Sequence, residues 1–264
     1  MLSIKSALVA GTLLACLPLY YVEATPADQE RPADITAEQV FKLIAEAKLT
    51  HRGVKLPGHS LKNLDLSHAD LAGADLTACN LFGAKLEGAN LSGADLRDAN
   101  LNLAWLIHAN FTGANLTGAS LVAPVVAEGL TVKSGEIPDF TGATLTDARI
   151  QARFTGGNMA GANFSHSDMS AHMMNQSMGL MRTEMGSANL AGADFSHTNL
   201  GHAILTFANL TGANFSGADL READLTGADA TGANFNGADL STAILDGTRL
   251  TGASGVTQSK AGAH

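Results

Sequence analysis

The 264-residue sequence is poor in aromatic side chains, which make up 5% of it and include one tryptophan and two tyrosines. A core built from this chain must rest on leucine, alanine and other small groups rather than on rings. Cysteine is nearly absent, with two residues, Cys16 and Cys79. That excludes a disulfide framework and a zinc site of four thiolates. Basic residues are in deficit: 16 Lys and Arg stand against 25 Asp and Glu, for a formal net charge of -9. This balance argues against nucleic acid or an anionic membrane surface as a partner. What the chain has in quantity is glycine, 28 residues, within a composition that is 45% apolar and so too hydrophobic for a disordered chain.

Familiar catalytic patterns are also missing. There is no Gly-x-Ser-x-Gly elbow, no phosphate loop and no His-Glu-x-x-His helix. The many aspartates recur at regular spacing, where turn hydrogen bonding accounts for them, and no pair is marked for acid–base work.

Residues 1–24 have the pattern of a signal peptide. Lys5 supplies a basic start, Ser6 to Leu17 is an uncharged apolar run, Pro18 ends it, and Val22-Glu23-Ala24 fits a cleavage site. The expected destination is the periplasm or the exterior. A second reading is open: Leu13-Leu14-Ala15-Cys16 resembles a lipobox, which would make Cys16 the lipidated first residue of a membrane-anchored lipoprotein. Residues 25–55 are expected to form a linker and a capping helix. Thr36-Ala37-Glu38-Gln39 fits a capping box, and Val40, Leu43, Ile44 and Ala47 follow at helical spacing, so the helix is placed at about 36–48.

The body is a five-residue repeat of the form A-(D/N)-(L/F)-x-G. Leu recurs from Leu61 to Leu106 at every fifth residue, followed by Phe111, Leu116 and Leu121. The pattern resumes at Phe140, passes through Ile150, Phe154, Met169, Met174 and Leu180, and runs to Leu250. A period of five fits neither an α-helix nor a simple strand, and its length implies a solenoid. Side chains alternate on an extended backbone, so the large residue and the small one two positions before it face inward together. The Asp or Asn between them faces out, and x-G makes the corner. Cys79 stands at a small inward position and reads as packing. Phe195, Phe215 and Phe235 lie 20 residues apart, and counting units extends that series to Met174 and Phe154. Four units per turn follow.

Stretches such as Ala213-Asn214-Phe215-Ser216-Gly217 resemble the pentapeptide-repeat family over about residues 56–253. The resemblance implies an all-β fold, a right-handed quadrilateral β-helix of about nine coils, roughly 40 Å long at about 4.8 Å per coil. The expected organisation is a first repeat block at 56–121, an inserted loop at 122–139, a second block at 140–253 and a flexible tail at 254–264. Some members of the family resemble duplex DNA and bind gyrase, protecting against quinolones. Export would separate this chain from gyrase, and its outward columns mix signs, as in Asp65, Lys85 and Trp105.

Function is expected where the repeat fails. The 122–139 break carries Val125 and Val126, and Trp105 stands in an outward Asp/Asn position; these three residues are the candidate protein-binding set. Residues 159–185 hold seven of the eight methionines. There His166, His172, Met173, Met178 and Met181 form a candidate copper site, because thioether and imidazole donors suit copper. His68 and His108 share a column two coils apart, with Gly88 between, and His197 and His202 fall on successive faces; all four read as solvated. The leading expectation is an exported, non-enzymatic scaffold that binds a protein partner, with copper binding as the alternative. The polar segment 251–264 offers no capping helix, so a homodimer through an open end is a further expectation.

Overall fold

Each five-residue unit must turn the chain once, and the backbone does so at the position after x. In the computed structural model, which describes residues 32–128, 135–171 and 182–256, that position has positive φ in nearly every unit. Glycine holds it most often, and Asn, Asp or His often replace it, as at Asn63, His68, Asp98 and His197. These are the residues that tolerate the left-handed region. The Asp or Asn side chain two residues before x accepts a hydrogen bond from the backbone N–H of x, as at Asp65 and Ser67 (3.1 Å) or Asn214 and Ser216 (3.2 Å). The outward carboxylates and amides of the repeat are therefore turn-makers. The expected signal peptide, with Cys16, lies outside the described residues.

The outward residues pair in parallel with those one coil away, usually 20 residues on. Four ladders result. Ladder 1 begins Lys55–Asp75–Asp95 and ends at Ser254. Ladder 2 runs from Ser60 to Asp239, and ladder 4 is bridged from Asp70 to Asp139 and from Asn158 to Arg249, with Phe140 N donating to Asn158 O (2.9 Å) between them. Ladder 3 is bridged from Asp65 through Lys85 and Trp105 to Val125, and again from Arg153 through Glu184, Ile204 and Asp224 to Ile244. Through the described residues the chain visits ladders 1, 2, 3 and 4 in order and completes nine coils. Among the described residues only two segments extend to three-residue strands, β1 (Ser120–Val122) and β2 (Arg149–Gln151), paired in parallel on ladder 2.

Large residues and their alanine partners fill the axis, and nearly all are below 2% exposed. Cys79 is among them: its Sγ donates to the carbonyl of Leu56 (2.7 Å), and burial pushes its thiol up to about 12, as suits a packing residue. The coil order corrects the phenylalanine series. Phe164, not Met174, stacks on Phe195 (4.9 Å, 6° between planes), and Phe195, Phe215 and Phe235 continue at 5.0 Å. Phe154 follows ladder 3 instead, packing edge-on against Phe140. The reason lies between Asp168 and Glu184. Asp168 is on ladder 2 and Glu184 on ladder 3, consecutive in the coil order, so Phe195 stands one coil from Phe164; Met174 and Leu180 lie outside the described part. Leu56 is inward in the first coil, and Val126 is inward in the fourth.

Among the described residues one helix precedes the coils, α1 (Ala37–Leu49). Thr36 caps it as the sequence indicates: Gln39 N donates to Thr36 Oγ1 (3.2 Å) and Thr36 N donates to Gln39 Oε1 (2.8 Å). Such a cap contributes about 1 kcal/mol. Val40 and Ile44, one turn apart, are buried in the same cluster as Leu56 and Leu61. Lys48 Nζ meets Asp70 Oδ2 at 2.9 Å, and Asp34 N donates to Ser60 O (3.0 Å), tying both ends of this segment to the first coil.

Candidate functional site

Outside α1, the exposed large hydrophobic residues among the described residues are Leu103, Trp105, Phe207 and Ile244. All lie on ladder 3 or on the two turns beside it. Trp105 and Ile244 are ladder residues, Leu103 occupies the turn before the ladder and Phe207 the turn after it. Leu103 and Phe207 fill the corner slot that glycine usually holds, with φ of 57° in each, and are 45% and 67% exposed. Bulky residues are rare in that backbone region.

Both interruptions of the repeat also open beside ladder 3. The first leaves after Val126, on the ladder 3 to ladder 4 turn, and returns at Asp139, which bridges Asn110. His108 holds its returning arm: His108 Nδ1 lies 2.7 Å from the carbonyl of Gly135, and His108 N donates to Glu136 O (2.8 Å). Ile107, at a corner position that is solvated in most coils, is buried here, as are Ile137 and Pro138. The second interruption leaves after Ala171, on the ladder 2 to ladder 3 turn. The chain returns at Thr183, whose buried hydroxyl donates to Ile150 O (2.9 Å), and at Glu184, which accepts from Arg153 Nε (3.2 Å).

The expected protein-binding residues separate. Trp105 is 43% exposed and sits between Lys85 and Val125 on ladder 3, as an outward residue should. Val125 is half-buried beside it. Val126 is a correction: at 5% exposure it is a core residue, because the coil continues through it before the loop departs. Leu103 and Phe207 were missed by the sequence reading, yet a large apolar residue in a glycine slot was a visible signal. Of the expected copper ligands, His166 is exposed on the turn between ladders 1 and 2, and His172, Met173, Met178 and Met181 lie outside the described residues. Among the described residues no three His, Cys, Asp or Glu side chains gather as a metal-binding group.

The charged groups serve the repeat. Arg97 holds the Asp95 carboxyl below the usual carboxylate range, chiefly through a side-chain hydrogen bond, and Arg221 does the same for Asp219. Ladder 3 carries the ion pairs Lys85–Asp65 (3.5 Å) and Arg153–Glu184 (3.2 Å). Such exposed pairs contribute about 0–1 kcal/mol.

The family profile described as pentapeptide repeats matches residues 52–83, 60–98, 94–122, 188–227 and 218–254. The chain belongs to the pentapeptide-repeat family. Membership carries the right-handed β-helix fold. The matches omit 123–187, the stretch that contains both interruptions. Among solved structures it is similar to HetL, a pentapeptide repeat protein involved in heterocyst differentiation regulation in Nostoc sp. strain PCC 7120, at 25% identity over 87% of this chain and 100% of that one, with a TM-score of 0.38. It is also similar to QnrB1, a plasmid-mediated fluoroquinolone resistance protein, at 18% identity over 77% and 85% of the two chains, TM-score 0.35. A pentapeptide repeat protein of the Arabidopsis thaliana thylakoid lumen matches at 22% identity over 58% and 68%, TM-score 0.26. No curated protein matches the chain.

Proposed function

We propose that this protein is an exported, non-enzymatic scaffold that docks a protein partner along ladder 3. The observation that carries the reading is the pair Leu103 and Phe207, bulky apolar residues that are solvent-exposed in a left-handed backbone. That conformation costs about 1–2 kcal/mol for a residue with a Cβ. Glycine serves the same slot elsewhere in the coil stack; the Phe207 ring covers Gly227 of the next coil yet leaves most of itself in solvent. Trp105, two residues from Leu103, is the residue type most suited to anchor an interface. The two interruptions would frame the docked partner.

Export rests on the sequence of residues 1–24, and lipidation at Cys16 is the alternative destination. In this reading the cross-section is quadrilateral, one side per ladder, and α1 caps the first coil. The last coil is less covered: Leu245 and Leu250 are half-buried where their counterparts in inner coils are fully buried, and a second copy docking there would make a homodimer. Copper capture by His166 with His172, Met173, Met178 and Met181 is a second reading, supported by the exposed His166 ring. Gyrase binding by DNA mimicry is disfavoured by ladder 4, where Asn90, Asn110, Asn158, Asn189 and Asn209 replace carboxylates and Arg249 pairs with Asp229 (3.0 Å).

The test is cross-linking in the periplasm followed by purification, comparing the natural chain with Leu103→Gly/Trp105→Ala/Phe207→Gly. A partner held by the first and lost by the second supports docking, provided that Asn189→Ala/Asn209→Ala on ladder 4 retains it. Equal retention by the ladder 3 variant sinks the reading, and recovery only from cytoplasm sinks export.

A further inference from the structure

Five histidines occupy the left-handed corner position of the repeat: His68, His108, His166, His197 and His202. Two of them have ring nitrogens already engaged. His108 Nδ1 lies against the carbonyl of Gly135 (2.7 Å) and His202 Nδ1 against Glu222 Oε2 (3.1 Å). His68 stands alone, because the next coil on its turn places Gly88 before His108 is reached. His166 and His197 differ from all of these. They lie on consecutive coils of the turn between ladders 1 and 2, with φ of 60° and 56°, so that near-identical backbones project both side chains the same way. Their rings stack at 5.1 Å between centroids, 13° from parallel, and both residues are exposed. No hydrogen-bond partner engages either ring among the described residues. The coil before contributes Asp147 to the same corner, through Asp147 N donating to Ser165 O (3.1 Å), and the coil after contributes Gly217, against which the His197 ring lies.

We propose that His166 and His197 form a divalent-metal site of two imidazoles completed by water, with Cu2+ its strongest ligand. Neutral imidazole suits Cu, Ni and Zn, and affinity among divalent ions peaks at copper. Two nitrogens bound about 2 Å from one ion lie about 3–4 Å apart, so tilting two exposed rings brings the pair from its stacked separation into range. Asp147 adds a negative charge one coil away, and Gly217 leaves the outer side of the pair without a competing side chain. The site goes beyond the docking reading, since the turn between ladders 1 and 2 does not adjoin ladder 3. It also differs from the methionine cluster in using His197 and none of residues 172–181.

The test is a titration of the full chain with Cu2+ in a non-coordinating buffer, followed by electron paramagnetic resonance for nitrogen coordination. His166→Asn and His197→Asn are the informative variants, because asparagine tolerates positive φ and keeps the fold; melting curves check this. Each should lose at least the about 10–100-fold in affinity that removing an outer-shell partner costs a metal site. His68→Asn and the combined variant His172→Asn/Met173→Leu/Met178→Leu/Met181→Leu should keep the nitrogen-coordinated ion. The proposal is overturned if either His166→Asn or His197→Asn titrates like the natural chain, or if the natural chain shows no nitrogen-bound copper.

Discussion

The two sides of this coil stack follow the same repeat with different fidelity. On the turn between ladders 4 and 1, one glycine per coil runs from Gly73 to Gly252, every one at positive φ. A Cβ added to Gly73, Gly93, Gly113, Gly142, Gly161, Gly192, Gly212 or Gly232 would meet nothing within 4 Å. Ladder 4 beside it is an amide stack in which Asn209 donates to Asn189 (3.1 Å) and Asn189 to Asn158 (3.0 Å). On the neighbouring side, ladder 3 carries Trp105, Ile204 and Ile244 where Asp or Asn would do, its turns carry Leu103 and Phe207, and both interruptions open there. Every side shares one axis of leucine, phenylalanine and alanine, so the core tolerates both. Under the docking proposal, the difference reflects what the surface meets rather than what the fold needs.

The axis is where the largest effect is expected. Leu220 is fully buried beneath ladder 2, and Leu220→Asp would bury an unpaired carboxylate among several coils. A loss above about 4 kcal/mol is expected in denaturant unfolding, on the scale reserved for the most damaging substitutions. An unchanged melt would overturn the inward direction of the repeat's large residue, and with it the premise that both sides share a core.

Trp105→Ala comes next and should act on one side only. An anchoring aromatic is worth about 2 kcal/mol of binding, roughly a 30-fold loss in partner affinity. Stability should stay within about 0.5 kcal/mol, as for other surface changes. If the melt falls and the partner affinity holds, Trp105 is packing and ladder 3 is not an interface.

How far this contrast could be read in advance depended on what periodicity encodes. The period of five, the four units per turn, the inward Cys79 and the Thr36 cap were all legible, because each follows from local spacing or from side-chain alternation. The phenylalanine column is not legible from spacing, because Asp168 and Glu184 stand on consecutive ladders, and it takes the pairings from Arg153–Glu184 to Asp168–Asn199 to show it. Val126 is hidden in the sequence for a different reason: valine in the leucine slot, followed by a break, masks the last unit before departure. The His166–His197 contact escaped because 31 residues separate two neighbours that the regular repeat would place 20 apart.

The smallest effects come from exchanging corner residues between the two sides. Gly212→Leu puts a Cβ at φ +67° in otherwise open space, so conformation rather than collision sets its cost, about 1 kcal/mol. Leu103→Gly is the reciprocal change. It relieves about 1–2 kcal/mol of left-handed strain, while the freer unfolded chain offsets about 0.4–1 kcal/mol of that. A net gain of about 0.5 kcal/mol is expected, read as a slightly higher melting temperature, together with weaker partner binding. A stabilised variant that binds less well is the behaviour of a residue kept for function at a cost to the fold. A loss of more than about 1 kcal/mol in the same measurement would mean that Leu103 covers its neighbours on ladder 3 well enough to outweigh its own backbone, and the difference between the two sides would then be one of packing.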